Sequence, residues 1–234
     1  MGAAPSSSRE ERRVIPVMEA KEKKPSQQLN GKNKKLPHNY EIIMEEADDA
    51  FKGIPHDSFL HKGVLLKHNT KKYWVDEKSD CNCFVIYPRE LSITWIEEPL
   101  YWQWSTMKET SSNKEIEIAK LKSVCWLEVH GKHTTVNLTP GVTYEVAFVV
   151  KIEDHAYGWD VPVMLRLVTS TSDVQQYSEK LSDMPRGKWT ELIAGFFTVT
   201  PRDARDLEFS LFEYEGGAWK SGLVLQGVVI RPKK

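Results

Sequence analysis

From Lys72 to the C-terminus, apolar and polar residues alternate in short runs separated by glycine, proline, asparagine and aspartate. In one such run Tyr144, Val146 and Phe148 alternate with Glu145 and Ala147. A period of two is typical of strands that bury one face. About eight to ten such runs, with no helical period between them, predict an all-β protein built as a jelly-roll-like β-sandwich.

Before this region the apolar spacing changes to that of a helix. Residues 39–52 predict a helix that Asn39 caps and Gly53 ends; its apolar positions are Tyr40, Ile43, Met44, Ala47 and Phe51. A second short helix is predicted around Ser58–Leu66. The two helices together would form an N-terminal extension to the sandwich.

Residues 1–38 are polar and lysine-rich, with almost no large apolar side chains. Such a segment buries too little surface to offset the entropy of the chain, so it is predicted to be disordered. The predicted organisation is therefore a disordered tail over 1–38, a helical extension over 39–70 and a β-sandwich domain over 71–234.

The overall charge is nearly balanced, with 32 lysines and arginines against 33 acids, which argues against a strong global field for nucleic acid. No apolar run approaches the roughly 18 residues of a membrane span. The N-terminus lacks the apolar region of a secretory signal, and three cysteines are too few for a disulfide framework. These features predict a cytoplasmic protein.

Motifs that mark catalytic or cofactor sites do not occur in the sequence. There is no P-loop, GxGxxG, GxSxG or CxxC, and no signature pairs any two of the acids for glycosidase chemistry. His130 and His133 flank a glycine-containing hairpin rather than one helical face, which is poor metal-site spacing. We therefore expect no enzyme activity, no metal and no cofactor.

The segment LSITWIEEPLYWQW holds three of the eight tryptophans. Leu91, Ile93 and Trp95 would share one strand face, and Trp102 and Trp104 would share a face of the next. These rings do not all fit into a core on both sides of an acidic turn, so at least one is expected to face solvent; Trp104 is the ring expected to join the core. An exposed ring can stack on a sugar or on a nucleobase, and the nearby acids favour a neutral, hydroxyl-rich ligand. From the residues alone, a sugar and a nucleobase both remain possible ligands.

Several segments resemble a known family when they are read together. They are KYWVDEKSDCNCF, LSITWIEEPLYWQW, LKSVCWLEVHGK, NLTPGVTYEVAF, AYGWDVPV, KWTEL and WKSGLVLQGVVIRPK. They resemble, in family order, the phloem protein 2 lectins of plants, which share the Nictaba lectin domain. The resemblance extends from about Lys72 to Lys234, and the extension before it is similar to that of the longer phloem-type members.

The resemblance implies a carbohydrate-binding β-sandwich that recognises N-acetylglucosamine oligomers (chitin fragments) and N-glycans. It implies that Trp95 and Trp102 stack on sugar rings and that acids near the C-terminal WKSGL motif accept hydrogen bonds from the ligand. Glu213 matches one of these acids, and the second is either Asp206 or Glu208. Trp219 and Lys220, which open the WKSGL motif, complete the predicted site.

The resemblance also implies partners and a location. Members of the family's phloem type form homodimers and associate with phloem filament proteins through disulfides, for which Cys81 and Cys83 are the candidates. It implies a phloem sap or cytosolic location. Two alternatives to a lectin remain: an RNA-binding phloem transport protein, favoured by the lysine-rich tail, and a structural partner of the filaments.

Overall fold

A computed structural model describes residues 35–47, 58–112, 114–169, 171–200 and 206–234. Most of the predicted tail, and Phe51 of the predicted helix, lie outside these ranges. From Leu36 onward the described residues belong to one compact unit. No helix within the described ranges has the length and apolar character needed to cross a bilayer.

The predicted helix is confirmed over five residues as α1 (Tyr40–Met44), with Ile43 buried. Asn39 does not cap it, because the Asn39 side chain instead donates a hydrogen bond to the backbone oxygen of Val136 at 2.8 Å. His38 makes a similar contact to the same oxygen at 3.0 Å. The short segment before α1 is thereby fastened to the loop after β7.

The second predicted helix is wrong over Val64–Leu66, which form strand β1. All three residues are buried, and the strand pairs with Lys71–Val75. Three consecutive apolar residues fit a short strand at least as well as one helical turn, and pairing with a neighbouring strand decides between the two. The sheet therefore begins before the predicted domain boundary at residue 71.

Thirteen strands occur in the described residues: β1 (Val64–Leu66), β2 (Lys71–Val75), β3 (Asn82–Ile86), β4 (Ser92–Ile93), β5 (Trp102–Lys108), β6 (Glu115–Leu121), β7 (Leu127–Thr134), β8 (Thr143–Tyr157), β9 (Val163–Val168), β10 (Val174–Glu179), β11 (Trp189–Thr198), β12 (Asp206–Glu213) and β13 (Ser221–Pro232). Short 3-10 turns cover Pro88–Glu90, Thr135–Asn137 and Leu181–Asp183.

The strands form two antiparallel sheets, which confirms the predicted all-β sandwich. Sheet A has eight strands around the long strand β13. One side of β13 pairs with β8, which pairs with β11; the other side pairs with β6 near its start and β3 near its end. Sheet B has five strands in the order β10-β9-β12-β7-β4.

The core lies between the two sheets and follows the alternation of the sequence. In β7, Leu127, Val129 and His133 are buried while His130 is exposed. Phe148 of sheet A meets Phe209 of sheet B edge to face, with ring centroids 6.0 Å apart. Each large apolar side chain removed from water in this way contributes roughly 1.5–3 kcal/mol.

Gln175 of β10 connects the open edge of sheet A to sheet B. Its side-chain amide donates to the backbone oxygen of Phe196 in β11 and accepts from the backbone nitrogen of Phe196 at 3.0 Å. Gly195 permits this approach, since a Cβ there would lie 2.8 Å from the Gln175 Oε1 atom. The amide thus satisfies one backbone donor and one acceptor that β11 does not use with β8.

Glu109, just after β5, is a buried carboxylate with four donors. Its oxygens accept from Lys72 Nζ at 2.7 Å, from the hydroxyl and backbone nitrogen of Ser111 at 2.7 and 2.8 Å, and from Ser112 N at 2.9 Å. Burial raises the pKa of this carboxyl, but the hydrogen bonds from Lys72 and Ser111 outweigh burial and lower the pKa to about 2. The charged form is therefore favoured by folding.

We expect Glu109→Gln to lower the free energy of unfolding at pH 7 by about 1–3 kcal/mol, because it weakens these charged hydrogen bonds. Since the pKa of Glu109 is lower in the folded state, its contribution is complete above roughly pH 4.5 and is lost as the pH falls towards about 2. Denaturant unfolding at several pH values should therefore show the gap between wild type and variant closing on acidification. The exposed Glu77→Gln variant is the control, and a gap independent of pH would contradict the assignment.

Candidate functional site

Loops from both sheets meet at one end of the sandwich. The backbone oxygen of Tyr101, before β5, accepts hydrogen bonds from the backbone nitrogens of Lys122 and Ser123, after β6. Val124 pairs with Lys220 in an antiparallel bridge that joins the β6–β7 loop to the β12–β13 loop. These backbone contacts hold the loops in fixed positions relative to one another.

Five aromatic residues on these loops form what we call the aromatic end: Trp95, Tyr101, Trp126, Tyr214 and Trp219. Trp95, Trp126 and Trp219 are exposed to 43%, 40% and 54%. The Trp95 ring lies against Tyr101 with centroids 5.1 Å apart, and the Trp126 ring stacks on Tyr214 at 4.4 Å. Large apolar rings gathered in solvent in this way are typical of ligand or partner contacts.

Trp95 adopts a backbone conformation that is rare for a bulky residue. Its φ of 61° lies in the left-handed region, within the turn that follows β4. Two backbone hydrogen bonds, both 3.0 Å long, hold the turn. Thr94 N donates to the backbone oxygen of Glu128, and Glu98 N donates to the backbone oxygen of Trp95. A left-handed backbone costs a non-glycine residue roughly 1–3 kcal/mol, and such costs concentrate at functional sites.

The Glu128 carboxylate orients part of the aromatic end. One oxygen accepts from Trp126 Nε1 at 3.0 Å and from the Thr94 hydroxyl at 2.9 Å, while the other contacts His130 Nε2 at 2.9 Å. Hydrogen bonds from His130 and Trp126 lower the pKa of the Glu128 carboxyl below its usual value. One charged side chain thus connects the Trp126 ring to the residue that precedes Trp95.

The Trp102 ring does not belong to this exposed group, so the prediction that it stacks on a sugar is wrong. It is 2% exposed in the core, and its Nε1 donates to the backbone oxygen of Thr94 at 3.1 Å. Trp104, expected in the core, is only half-buried, and the Arg89 guanidinium lies 3.6 Å from the centre of one of its rings. The buried ring is therefore the one at the start of β5.

Glu213 and Lys220 form a buried ion pair, with side chains 4% and 0% exposed. Lys220 Nζ also donates to the backbone oxygens of Cys125 and Ala218, at 3.0 and 2.9 Å, and Glu213 accepts from Gly216 N at 2.8 Å. The prediction that these two side chains contact a ligand is wrong. They connect the β12–β13 loop to the β6–β7 loop from inside, and so fix the backbones that carry Trp219 and Trp126.

Asp206 and Glu208 are exposed on β12, away from the aromatic end. Asp206 pairs in register with Thr134, whereas Glu213 at the other end of β12 pairs with Leu127. The seven intervening steps span roughly 23 Å of strand, so Asp206 does not share a binding site with the aromatic end. Glu208 forms an ion pair with Lys132 at 2.6 Å, and the hydrogen bond from Lys132 lowers the Glu208 pKa.

The two cysteines proposed for intermolecular disulfides are buried. Cys81 and Cys83 are 4% and 1% exposed, and burial raises the pKa of the Cys83 thiol. A buried thiol is not accessible to a second chain, so this prediction is wrong for the folded protein. Of the three cysteines, Cys125 is the partly exposed one.

His130 and His133 lie on opposite faces of β7, because their separation is odd and side chains alternate along a strand. Within the described ranges, no group of three or more histidine, cysteine, aspartate or glutamate side chains is arranged to hold a metal ion. The polar groups at the aromatic end include Trp126 Nε1, a hydrogen-bond donor, and the Glu128 carboxylate, an acceptor. With several exposed rings, they make up the chemistry offered at this end of the sandwich.

Residues 81–232 match the family model described as "PP2: Phloem protein 2". The chain is also 42% identical over 226 residues to "Protein PHLOEM PROTEIN 2-LIKE A1" of Arabidopsis thaliana, covering 94% of this chain and 91% of the relative. The chain belongs to the phloem protein 2 family.

Two further similarities concern this phloem protein 2 chain. It is 34% identical over 212 residues to a Luffa acutangula protein named "Lectin", covering 88% of this chain and 100% of that one. Among solved structures it is similar to a CBM22-1 xylan-binding domain of Paenibacillus barcinonensis, with a TM-score of 0.35 and 12% identity over 63% of this chain and 88% of the other. A score of that size supports no inference about a ligand.

Of the five rings at the aromatic end, the sequence prediction named Trp95 and Trp219 and missed Tyr101, Trp126 and Tyr214. It also missed the Glu128 carboxylate. The signal for Trp126 was present in the alternation, because Leu127 and Val129 point inward and their neighbours must point outward. The same argument applies to Tyr214, which follows the buried Glu213. The stacking of Trp126 on Tyr214 joins residues far apart in the chain and has no local signal.

Proposed function

We propose that this phloem protein 2 family member is a carbohydrate-binding protein and that its aromatic end binds N-acetylglucosamine oligomers and the N-acetylglucosamine core of N-glycans. The observation that carries the proposal is the exposed Trp95 ring, held on a left-handed backbone within a group of exposed tryptophans. The relatives support it, since one of them is named a lectin.

The chemistry of the aromatic end suits a neutral sugar. An exposed indole offers a flat apolar surface to the C–H face of a pyranose, and its removal from water favours binding. Hydroxyl and acetamido N–H groups need acceptors, and the exposed Glu97 and Glu98 lie in the same turn as Trp95. Lys122 nearby is already engaged with the backbone oxygen of Pro99 at 2.8 Å. Binding of a phosphate backbone would instead need a basic groove beside the rings.

The affinity for a single sugar should be weak. A neutral hydrogen bond contributes on the order of 1 kcal/mol and one to a charged group about 1.5–3 kcal/mol. Two or three exposed rings along the aromatic end can contact successive sugars of an oligomer. Each further sugar then increases the apolar contact area within the same site. We therefore expect affinity to rise from the monosaccharide to the trimer.

Trp95→Ala is expected to weaken binding of chitotriose by roughly 5–30-fold, the equivalent of about 1–2 kcal/mol for one ring contact. Isothermal titration calorimetry on the full chain measures this, with thermal unfolding to show that the variant is folded. Trp189→Ala is the matched control, because Trp189 is an exposed tryptophan (37%) on β11, which β8 separates from β13, and it belongs to none of the loops that carry the aromatic end.

Equal affinities for wild type and Trp95→Ala, or a loss caused by Trp189→Ala alone, would overturn the assignment of the aromatic end. The preference for N-acetylglucosamine is tested in the same titration against a mannose oligomer of equal length. Stronger binding of the mannose oligomer would contradict the preference for N-acetylglucosamine. It would not contradict the proposal that the protein binds carbohydrate.

The remaining expectations stay proposals: a homodimer, a cytosolic or phloem location and an RNA-binding role of the lysine-rich tail. The names of the relatives support the phloem location. Residues 1–34, which carry most of the tail, lie outside the described residues. The filament role would need contacts other than a disulfide through Cys81 or Cys83.

A further inference from the structure

The outer face of sheet B continues from the aromatic end along β12. Alternation along this strand places Ser210 and Phe212 on the outer face, because Leu211 between them packs in the core. Tyr214 follows in the same alternation. Its ring stacks on Phe212 with centroids 5.3 Å apart, as well as on Trp126 at 4.4 Å. The rings of the aromatic end are therefore continuous with the outer side of the sheet.

The part of this face nearest the aromatic end is apolar, although a sheet face that only met water would be polar. Phe212 is half-buried, and its in-register neighbour on β9, Met164, is half-buried as well. Together with Tyr214 and Trp126 they form one apolar patch. Patches of this kind on the surface of a soluble domain are typical of ligand or partner contacts.

The next row along the strands is polar and crosses sheet B in register. Ser210 pairs with His130 on β7 and with Arg166 on β9, and Arg166 pairs with Gln176 on β10. His130, Arg166 and Gln176 are exposed. Neighbouring strands lie roughly 4.8 Å apart, so the row offers a hydrogen-bonding side chain at about that interval.

Ser210 forms the floor of a notch in this row. It is 7% exposed although it lies on the outer face, because two longer side chains, His130 and Arg166, flank it. Its hydroxyl makes no hydrogen bond with the described residues, and its oxygen is not enclosed, unlike Trp104 Nε1. The hydroxyl is therefore available to a ligand that enters the notch.

The charges around the notch nearly cancel, which favours a neutral ligand. Glu208 is paired with Lys132 at 2.6 Å, and the Glu128 carboxylate contacts His130 Nε2 at 2.9 Å. Arg166 lies close enough to contribute to the lowered pKa of Glu208, but it forms no ion pair within the described ranges. A guanidinium has five N–H donors and no acceptor, so Arg166 can donate to hydroxyl and acetyl oxygens.

We propose that the ligand of the aromatic end is a glycan chain longer than a trisaccharide, and that it continues along a second surface, the β12 strip: Phe212, Met164, Ser210, His130 and Arg166. This inference rests on the proposed function, because it extends the same N-acetylglucosamine chain. One further sugar contacts Phe212 and Met164, and the next hydrogen-bonds with Ser210 and Arg166. Ser210 is four positions from Tyr214, roughly 13 Å of strand, a distance that a few sugar units span.

The length of the site is tested by isothermal titration calorimetry of the full chain with chitotriose and chitohexaose. A hexamer offers about four overlapping trimer positions, so statistics alone raise its affinity by about fourfold. We expect the protein to bind chitohexaose at least about 20-fold more tightly than chitotriose, because the longer chain adds contacts with the β12 strip.

Two variants remove the added contacts. Arg166→Ala deletes the donors beside the notch, and Ser210→Leu fills the notch itself. Each is expected to lower the ratio of hexaose to triose affinity to about fourfold, with chitotriose affinity unchanged within about twofold. Lys151→Ala is the matched control, since it removes a cation that lies over the Trp189 ring of sheet A, and it should leave the ratio unchanged. Thermal unfolding shows that each variant is folded.

The extension is refuted by an affinity ratio of about fourfold or less in the wild type, the statistical value. It is equally refuted by a larger ratio that both Arg166→Ala and Ser210→Leu retain. Trp95→Ala separates this inference from the proposed function, because it should weaken both oligomers equally and preserve the ratio. If the wild type binds neither oligomer, the proposed function fails, and the extension fails with it.

Discussion

Replacing Lys220 with methionine is expected to lower the free energy of unfolding by about 3–5 kcal/mol, because it leaves the Glu213 carboxylate buried without its cation. Two backbone oxygens, of Cys125 and Ala218, lose a donor at the same time. Guanidinium unfolding followed by tryptophan fluorescence measures the loss. We also expect weaker chitotriose binding, since this ion pair fixes the loops that carry Trp126 and Trp219.

The matched control is Lys132→Met, which removes the cation of the exposed pair with Glu208 and should hardly change the unfolding midpoint. The double variant Glu213→Leu with Lys220→Met should recover part of the lost stability, because an apolar pair replaces the uncompensated charge. Recovery is incomplete, since the two backbone oxygens stay without their donor. A Lys220→Met protein as stable as wild type would contradict the role of the buried pair.

Trp102→Ala is expected to cost about 3–5 kcal/mol of stability, the usual loss for truncating a buried large aromatic side chain. The ring is 2% exposed, so its removal leaves a cavity between the sheets, and the hydrogen bond to the Thr94 oxygen is lost as well. Denaturant unfolding measures the loss. Trp102→Phe, which keeps most of the volume, should be much less destabilised.

The two tryptophans of one short segment are therefore expected to behave in opposite ways. Trp95→Ala should reduce chitotriose binding with little loss of stability, whereas Trp102→Phe should retain binding to within a few-fold in the folded protein. The second expectation follows because the Trp102 ring has no surface free for a sugar. A large loss of binding in Trp102→Phe with an unchanged fold would show that the buried ring positions the ligand surface.

Much of the fold could be predicted because strand alternation is a local signal. The inward positions of β12 recur at every second residue, and all three are buried: Leu207, Phe209 and Leu211. The same alternation places Glu213 inward, and Glu213 is 4% exposed. Family resemblance pointed the other way for this residue, towards the ligand. Here the periodicity of the strand was the better guide.

The candidate site was harder to predict because its residues lie where the alternation stops. β4 contains only Ser92 and Ile93, and Trp95 follows with a positive φ, so its direction does not follow from the strand. The orientation of Trp102 depends on pairing with Leu121 of β6. The partner of Glu213 depends on the path of the β12–β13 loop. Contacts of this kind are set by tertiary packing and have no local signature.

The amide of Gln175 has a consequence for how copies of this chain can assemble. An edge strand with free backbone groups is a template on which a second chain can add a strand. At Phe196 of β11 both groups on the outer side are already bound by Gln175. A second copy that extended sheet A across this position would first have to displace that side chain. The homodimer proposed for this protein is therefore expected to form through another surface.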